Sequence, residues 1–172
     1  MKKVLFSLIA LMAVMTVQAQ SICGSWRTVQ PVIETEEDGS LVIQNFTYTF
    51  NEDGTYLMND EITLSSEPAP TMALEIAVSI DVRGTYALDG DKLTVTPNED
   101  SYKYTLLSIS MNGQVANNPM IKSQMNSIFS SAEFKGDFLK PQESTVNVAD
   151  SSMEMNLDGE TINFTRFATI KN

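Results

Sequence analysis

The sequence predicts an all-β protein carrying one helix near residues 119–131. Three observations predict it. Short runs rich in β-branched and aromatic residues recur between Gly, Asp and Asn turns. The segment Met72–Arg83 alternates without a break: Met72, Leu74, Ile76, Val78, Ile80 and Val82 share one face, and Ala73, Glu75, Ala77, Ser79, Asp81 and Arg83 the other. That two-residue period favours strand over helix. Helical spacing enters only after Asn118.

The chain has 172 residues. Its first nineteen read as a secretory signal: Lys2 and Lys3 form a positive start, Val4 to Val17 an apolar run, and Val17-Gln18-Ala19 a small-x-Ala cleavage site. The run is short for a membrane span and a polar domain follows, so no membrane insertion is expected after cleavage. Residues 20–172 are expected to form a single domain, long enough to bury about 70 % of the unfolded surface. Localisation is expected to be periplasmic or extracellular. Cys23 is the only cysteine, which excludes an internal disulfide. A lipidated N-terminus is disfavoured because Ile22 precedes Cys23 and Gln20-Ser21 separate it from the apolar run; a partly buried structural thiol fits better.

Lys2 and Lys3 leave with the signal, so nine basic and 22 acidic residues remain and the charge falls from −11 to −13. Such a balance repels nucleic acid and anionic lipid, and its simplest meaning is a solvated acidic surface.

The strands follow in order. Trp26–Ile33 is the first, and Glu34-Thr35-Glu36-Glu37-Asp38-Gly39 an acidic turn without calcium-loop spacing. Leu41–Phe50 is the second. The turn Glu52-Asp53-Gly54 pairs Asn51 with Thr55 and so Phe50 with Tyr56, putting two aromatics on one face. Tyr56–Leu64 is the third, ended by Ser65–Pro70, where two prolines lack a donor. The long alternating strand should bend near Arg83-Gly84. With Asp89-Gly90 as a two-residue loop, Leu88 faces Asp91 and Tyr86 faces Leu93. Tyr102–Met111 is a further strand.

Asn118 then caps a helix and Pro119 suits its first turn. Ile121, Met125, Ile128 and Phe129 form its apolar stripe, which ends near Ser131. Phe134–Leu139 reads as a connector. Strands near Thr145–Ala149, Met153–Leu157 and Thr161–Ile170 finish the chain. Asp158-Gly159 as a hairpin loop pairs Met155 with Ile162 and Met153 with Phe164. Arg166 then lies on the inward face of Phe164 and Ile162, where a charge needs a partner. Trp26, the only tryptophan, is the expected one: a guanidinium over an indole gains roughly 0.5–2 kcal/mol.

Four motifs together resemble a known family: Gly24-Ser25-Trp26; Thr49-Phe50-Asn51-Glu52-Asp53-Gly54-Thr55-Tyr56; Gly84-Thr85-Tyr86-Ala87-Leu88-Asp89-Gly90-Asp91-Lys92-Leu93; and Phe164-Thr165-Arg166-Phe167. In this order they resemble the lipocalin-like (calycin) domains of secreted Bacteroidetes proteins. The resemblance implies an antiparallel up-and-down lipocalin-like β-barrel, closed where Arg166 of the last strand lies over Trp26 of the first. Both are closure residues there, not ligand contacts. It also implies a hydrophobic ligand, and it does not imply an enzyme. The helix in the third quarter and the lack of paired cysteines depart from the family. On a barrel, that helix should cover one mouth or lie against the outside.

There is no histidine, so no Ser-His-Asp triad, Cys-His pair or imidazole metal ligand exists. No catalysis, metal or cofactor is expected. A monomer binding a small apolar molecule is. Its expected lining is Phe50, Tyr56, Met72, Leu74, Ile76, Tyr86, Met125, Met153, Met155 and Phe164, with methionines as a plastic wall. A cavity smaller than about 300 Å³ would count against that reading, because drug-sized pockets usually exceed it. The alternative is a secreted protein- or glycan-interaction or inhibitor module with a filled barrel core, for small barrels are often filled by side chains.

Overall fold

A computed structural model describes residues 22–36, 39–69, 72–157 and 159–168. The expected signal segment, Glu37-Asp38 of the acidic turn, Pro70, Asp158 and the chain end at Ile170 lie outside the described residues; Glu34, Thr35 and Glu36, expected in that turn, are instead strand residues paired with Leu41, Ser40 and Gly39. Among the described residues, eleven antiparallel strands form one sheet. They are β1 Gly24–Thr28, β2 Val32–Glu36, β3 Gly39–Phe50, β4 Thr55–Ala69, β5 Met72–Asp89, β6 Lys92–Pro97, β7 Lys103–Met111, β8 Gln114–Val115, β9 Gln142–Val148, β10 Ser152–Leu157 and β11 Glu160–Phe167. Helices α1 Pro119–Phe129 and α2 Ala132–Phe138 stand between β8 and β9.

Eight strands close on themselves: β1 pairs β3, then β4, β5, β6, β9, β10 and β11 follow, and β11 returns to β1. Closure removes the exposed sheet edge at this level. The wall is a closed antiparallel barrel, the form expected of a lipocalin-like chain.

The closing seam sets Trp26 opposite Arg166. The Arg166 guanidinium carbon lies 4.3 Å from the indole centroid, and Nη1 donates to the Cys23 carbonyl at 2.8 Å. Trp26 is fully buried, and its indole N–H donates to the Ile22 carbonyl at 2.7 Å. Arg166 itself stays exposed. The arginine is thus inward by register but sits at the barrel's end, where water reaches it, rather than in the interior. Gly24 explains the Gly-x-Trp spacing. Its φ is +127°, and a Cβ there would stand 2.8 Å from Arg166 Nη1. Only glycine gives both the backbone and the room.

Both long strands change neighbours part-way, and this opens the barrel's other half. β3 pairs β1 over Thr47–Phe50 and β2 over Gly39–Ile43. The expected single strand Trp26–Ile33 is therefore two strands, separated around Pro31, which has no N–H to give. β5 pairs β6 from Gly84 to Asp89 and β7 from Leu74 to Asp81. The switch falls at the expected bend. A Cβ on Gly84 would collide with the Thr96 carbonyl oxygen and come within 2.8 Å of Pro97 Cα.

Two of the three hairpin registers agree with the turn arithmetic: Phe50 faces Tyr56, and Met155 and Met153 face Ile162 and Phe164. The third is shifted. Gly90-Asp91 forms the loop, so Leu88 faces Leu93 and Tyr86 faces Val95. Gly90 takes φ +65°, which suits the first central position of a primed turn. β4 also runs on through Pro68 to Ala69, because Pro68 falls where its pairing with β5 slips between Ser66 and Ala69.

The helical region is longer than expected. α1 ends at Phe129, and Ser131, expected as its last residue, instead caps α2 by accepting from Phe134 N–H at 3.2 Å. The expected connector is mostly this helix. The pair covers the inner face of β7, where Tyr104 lies opposite the buried Ile80. Tyr102 Oη donates to the Phe129 carbonyl at 3.0 Å, and Phe129 packs on Tyr104 with ring centroids 5.8 Å apart. The helices therefore close the open mouth.

Candidate functional site

The barrel's closed half is solid. Phe46, Tyr48 and Phe50 project inward from β3 with centroids 4.9 and 5.2 Å apart, and Phe164 of β11 meets Phe46 edge-on at 5.5 Å. Above this column, where β2 leaves the wall, the interior holds a cavity of about 220 Å³. Val32 and Ile43, the rings of Phe46, Tyr48 and Tyr56, and Met58 line it on the strand side, with Val95, Leu157 and Ile162 opposite. Phe138 of α2 enters from the mouth. Glu34, Asp137, Lys140, Gln142 and Glu160 supply polar groups, Lys140 bonded to Asp137 at 2.9 Å.

One lining residue breaks the pattern. On β4 the inward positions are Tyr56, Met58, Asp60 and Ile62, all buried. Asp60 stands between Phe46 of β3 and Ile80 of β5. It is only 4 % exposed, and its Oδ1 has no hydrogen-bond partner. Burial pushes its carboxyl up from 3.8 to about 8. Among the described residues nothing cationic lies beside it to reverse this, so near neutrality it mostly keeps its proton. Burial, with Asp60 second and Tyr56 third, holds the Tyr48 phenol far above its ordinary value. Burial raises Tyr56 to about 12.

Of the ten expected lining residues, the structure brings Tyr56 to this cavity. Phe50, Met153, Met155 and Phe164 are buried in the packed core. Leu74 and Ile76 border open grooves at the far end of β5. Tyr86 is half-buried, donates to the Asn51 carbonyl at 2.9 Å and meets Cys23 Sγ at 3.3 Å. Met125 is buried on α1. Met72 opens β5, but its side chain lies outside the described residues. At about 220 Å³ the cavity also falls below the bound set for the expected guest, which corrects that expectation: a drug-sized molecule does not fit, and there is room only for a smaller one. The aromatic column fills the lower barrel, and Phe138 takes up part of the mouth.

Asp60 was missed, although the signal was present. Once the Phe50–Tyr56 pairing is set, alternation alone makes residue 60 inward.

Wider depressions of about 650 and 700 Å³ are open grooves, one along Thr49, Thr55 and Thr96, the other bordered by Ser40, Ser65 and Ser110. Among the described residues no three His, Cys, Asp or Glu side chains are grouped to hold a metal. Nor is any helix among them long and apolar enough to cross a membrane.

No protein-family profile matches the chain, and no curated protein does. Solved structures are similar to it, two of them from Bacteroides. An uncharacterized protein from Bacteroides eggerthii aligns over 84 % of this chain and 98 % of its own, at 15 % identity and a TM-score of 0.42. A lipocalin-like protein from Bacteroides uniformis aligns over 86 % of this chain and 99 % of its own, at 14 % identity and a TM-score of 0.41.

Proposed function

We propose that this protein is an exported, monomeric, non-catalytic binding protein that takes one small, mostly apolar molecule in the cavity between barrel and helices. The observation that carries the reading is the cavity itself, a mainly apolar space of about 220 Å³ with one buried polar group. A 150 Å³ apolar cavity takes benzene, so this volume suits a single ring with a short substituent. The signal-like N-terminus supports export to the periplasm or beyond, and the absence of histidine supports binding without chemistry.

Native mass spectrometry of protein gently extracted from its host tests the reading, followed by titration with single-ring compounds. A co-purifying small molecule, or saturable binding that moves the Met58 methyl resonance, is the expected result. A clean apo mass together with no binding across the panel refutes it. A second reading, a protein- or glycan-binding module, draws support from the solid lower barrel and from Val115 and Met120, 73 % and 78 % exposed near the helix start. A partner captured by the exported protein and lost on changing both residues would favour it.

A further inference from the structure

The cavity's polar groups are lopsided in charge. Asp60 lies at its wall with an unpartnered Oδ1, nine-tenths buried. Glu34 of β2, Asp137 of α2 and Glu160 of β11 border the same space, against one cation, Lys140, that is already bonded to Asp137. The rings of Phe46, Tyr48, Tyr56 and Phe138 make up much of the wall. Aromatic faces attract cations, and a desolvated carboxyl without a partner is costly to keep. The chain as a whole carries −11, which draws cations toward any opening.

We infer that the cavity selects a small organic cation, an ammonium group on a ring-sized apolar stem, and that Asp60 receives the ammonium. This rests on the reading that the cavity binds a small molecule. A neutral guest of the same shape would leave Oδ1 either unpaired or facing a weaker donor. An ammonium supplies a strong donor and a compensating charge together. Binding then requires Asp60 to release its proton: the carboxylic acid becomes carboxylate as the ammonium enters, and one proton goes to solvent.

The pH dependence follows. The free Asp60 carboxyl titrates near 8, so the ionised fraction ready for an ammonium rises roughly 50-fold between pH 6 and pH 8. The other titratable or charged groups on the cavity are Tyr48, Tyr56, Glu34, Asp137, Lys140 and Glu160.

Benzylamine, benzyl alcohol and toluene, which share one ring and differ in the head group, are the probes. Calorimetry at pH 6, 7 and 8 in buffers of different ionisation enthalpy reads affinity and proton release, and the Met58 methyl resonance reports the location. Expected are one site for benzylamine, at least ten-fold tighter binding than benzyl alcohol at pH 8, a roughly 50-fold gain from pH 6 to 8, and release of close to one proton at pH 6. Asp60→Asn, checked for folding by circular dichroism, should lose the pH gain and the proton release. Asp150→Asn and Glu154→Gln, exposed and outside the cavity, should keep both. If benzyl alcohol or toluene binds and benzylamine binds no better, or if Asp60→Asn retains the pH profile, the cation assignment falls while the small-ligand reading stands. If none of the three binds, both fall.

Discussion

Replacing Asp60 by asparagine is expected to remove a pH-dependent weakness from the fold. The carboxyl titrates at about 8 in the folded chain, against an ordinary value of 3.8. The folded state therefore holds the proton more tightly than the unfolded state. The contribution to stability is complete below about pH 4 and is lost as the pH rises toward 8. Across that window the unfolded chain ionises the group freely while the folded chain resists. About four pH units at about 1.4 kcal/mol each give a loss of ~5 kcal/mol between pH 4 and pH 8. That is comparable to the whole stability of a marginal domain, so the effect should dominate this part of the pH profile.

The assay is urea unfolding of the parent and of Asp60→Asn at pH 4, 5, 6, 7 and 8, followed by Trp26 fluorescence. The slope of the difference is the readout, not its intercept. The asparagine amide brings its own unsatisfied donors, but that cost is the same at every pH. The other carboxylates are common to both chains and cancel. The variant should gain on the parent steadily as pH rises, by several kcal/mol in total. A difference independent of pH would refute the reasoning. It would mean that water or a relaxed strand solvates the carboxyl, and that Asp60 is not the desolvated group the register makes it.

Other substitutions follow from the same geometry. Trp26→Ala should cost about 3–5 kcal/mol in urea unfolding, since a fully buried indole is removed. Arg166→Ala should cost less, roughly 0.5–2 kcal/mol for the stacking plus about 1 kcal/mol for the bond to the Cys23 carbonyl, with a red shift of Trp26 emission as water reaches the ring. Gly24→Ala should lower stability by about 1–3 kcal/mol through its positive φ, and the guanidinium must move as well; a neutral result would show that the seam is looser than its distances. Phe138→Ala should enlarge the cavity and admit a two-ring guest that the parent excludes, measurable as new binding of a naphthyl compound in a fluorescence titration.

The fold was legible where short-range rules act. A turn fixes the residues beside it, so Phe50–Tyr56 and Met155–Ile162 pair as the loops require. Once the last hairpin's register is known, so is the side on which Arg166 lies. Gly90 shows the limit: with Asp on both sides, two loops of equal length compete, and the one that puts φ +65° on glycine also lines up Leu88 with Leu93. The division of β3 between β1 and β2, and of β5 between β6 and β7, was not legible. Neighbour exchange leaves no mark on the continuously alternating β5, and on β3 its one trace is the slip between Ile43 and Asn45 that moves the core-facing positions from Leu41 and Ile43 to Phe46, Tyr48 and Phe50. Residues 132–138 were hidden for another reason: the seven residues Ala132–Phe138 carry too few turns to show a helical period.

The candidate site was legible in a way that hydrophobicity alone conceals. Counting apolar inward positions selects Phe50, Met153, Met155 and Phe164, and these fill the barrel. A cavity forms where filling stops, and apolar pattern does not say where that is. It stops above Tyr48 because β2 departs from the wall and the helices, not a strand, close the gap. The informative residue there is the one that fails the pattern. An acid in a run of Tyr56, Met58 and Ile62 burdens the fold over the whole neutral range. No packing advantage offsets that burden, since leucine or methionine would fill the same position without desolvating a carboxyl. On the proposed reading, a polar group kept at such a cost, on the wall of the cavity with one oxygen unpartnered, is accounted for by what enters that space. The carboxyl that weakens the empty barrel is the one a cationic guest would turn to its own use, so stability lost with rising pH and affinity gained with it are two measurements of one titration.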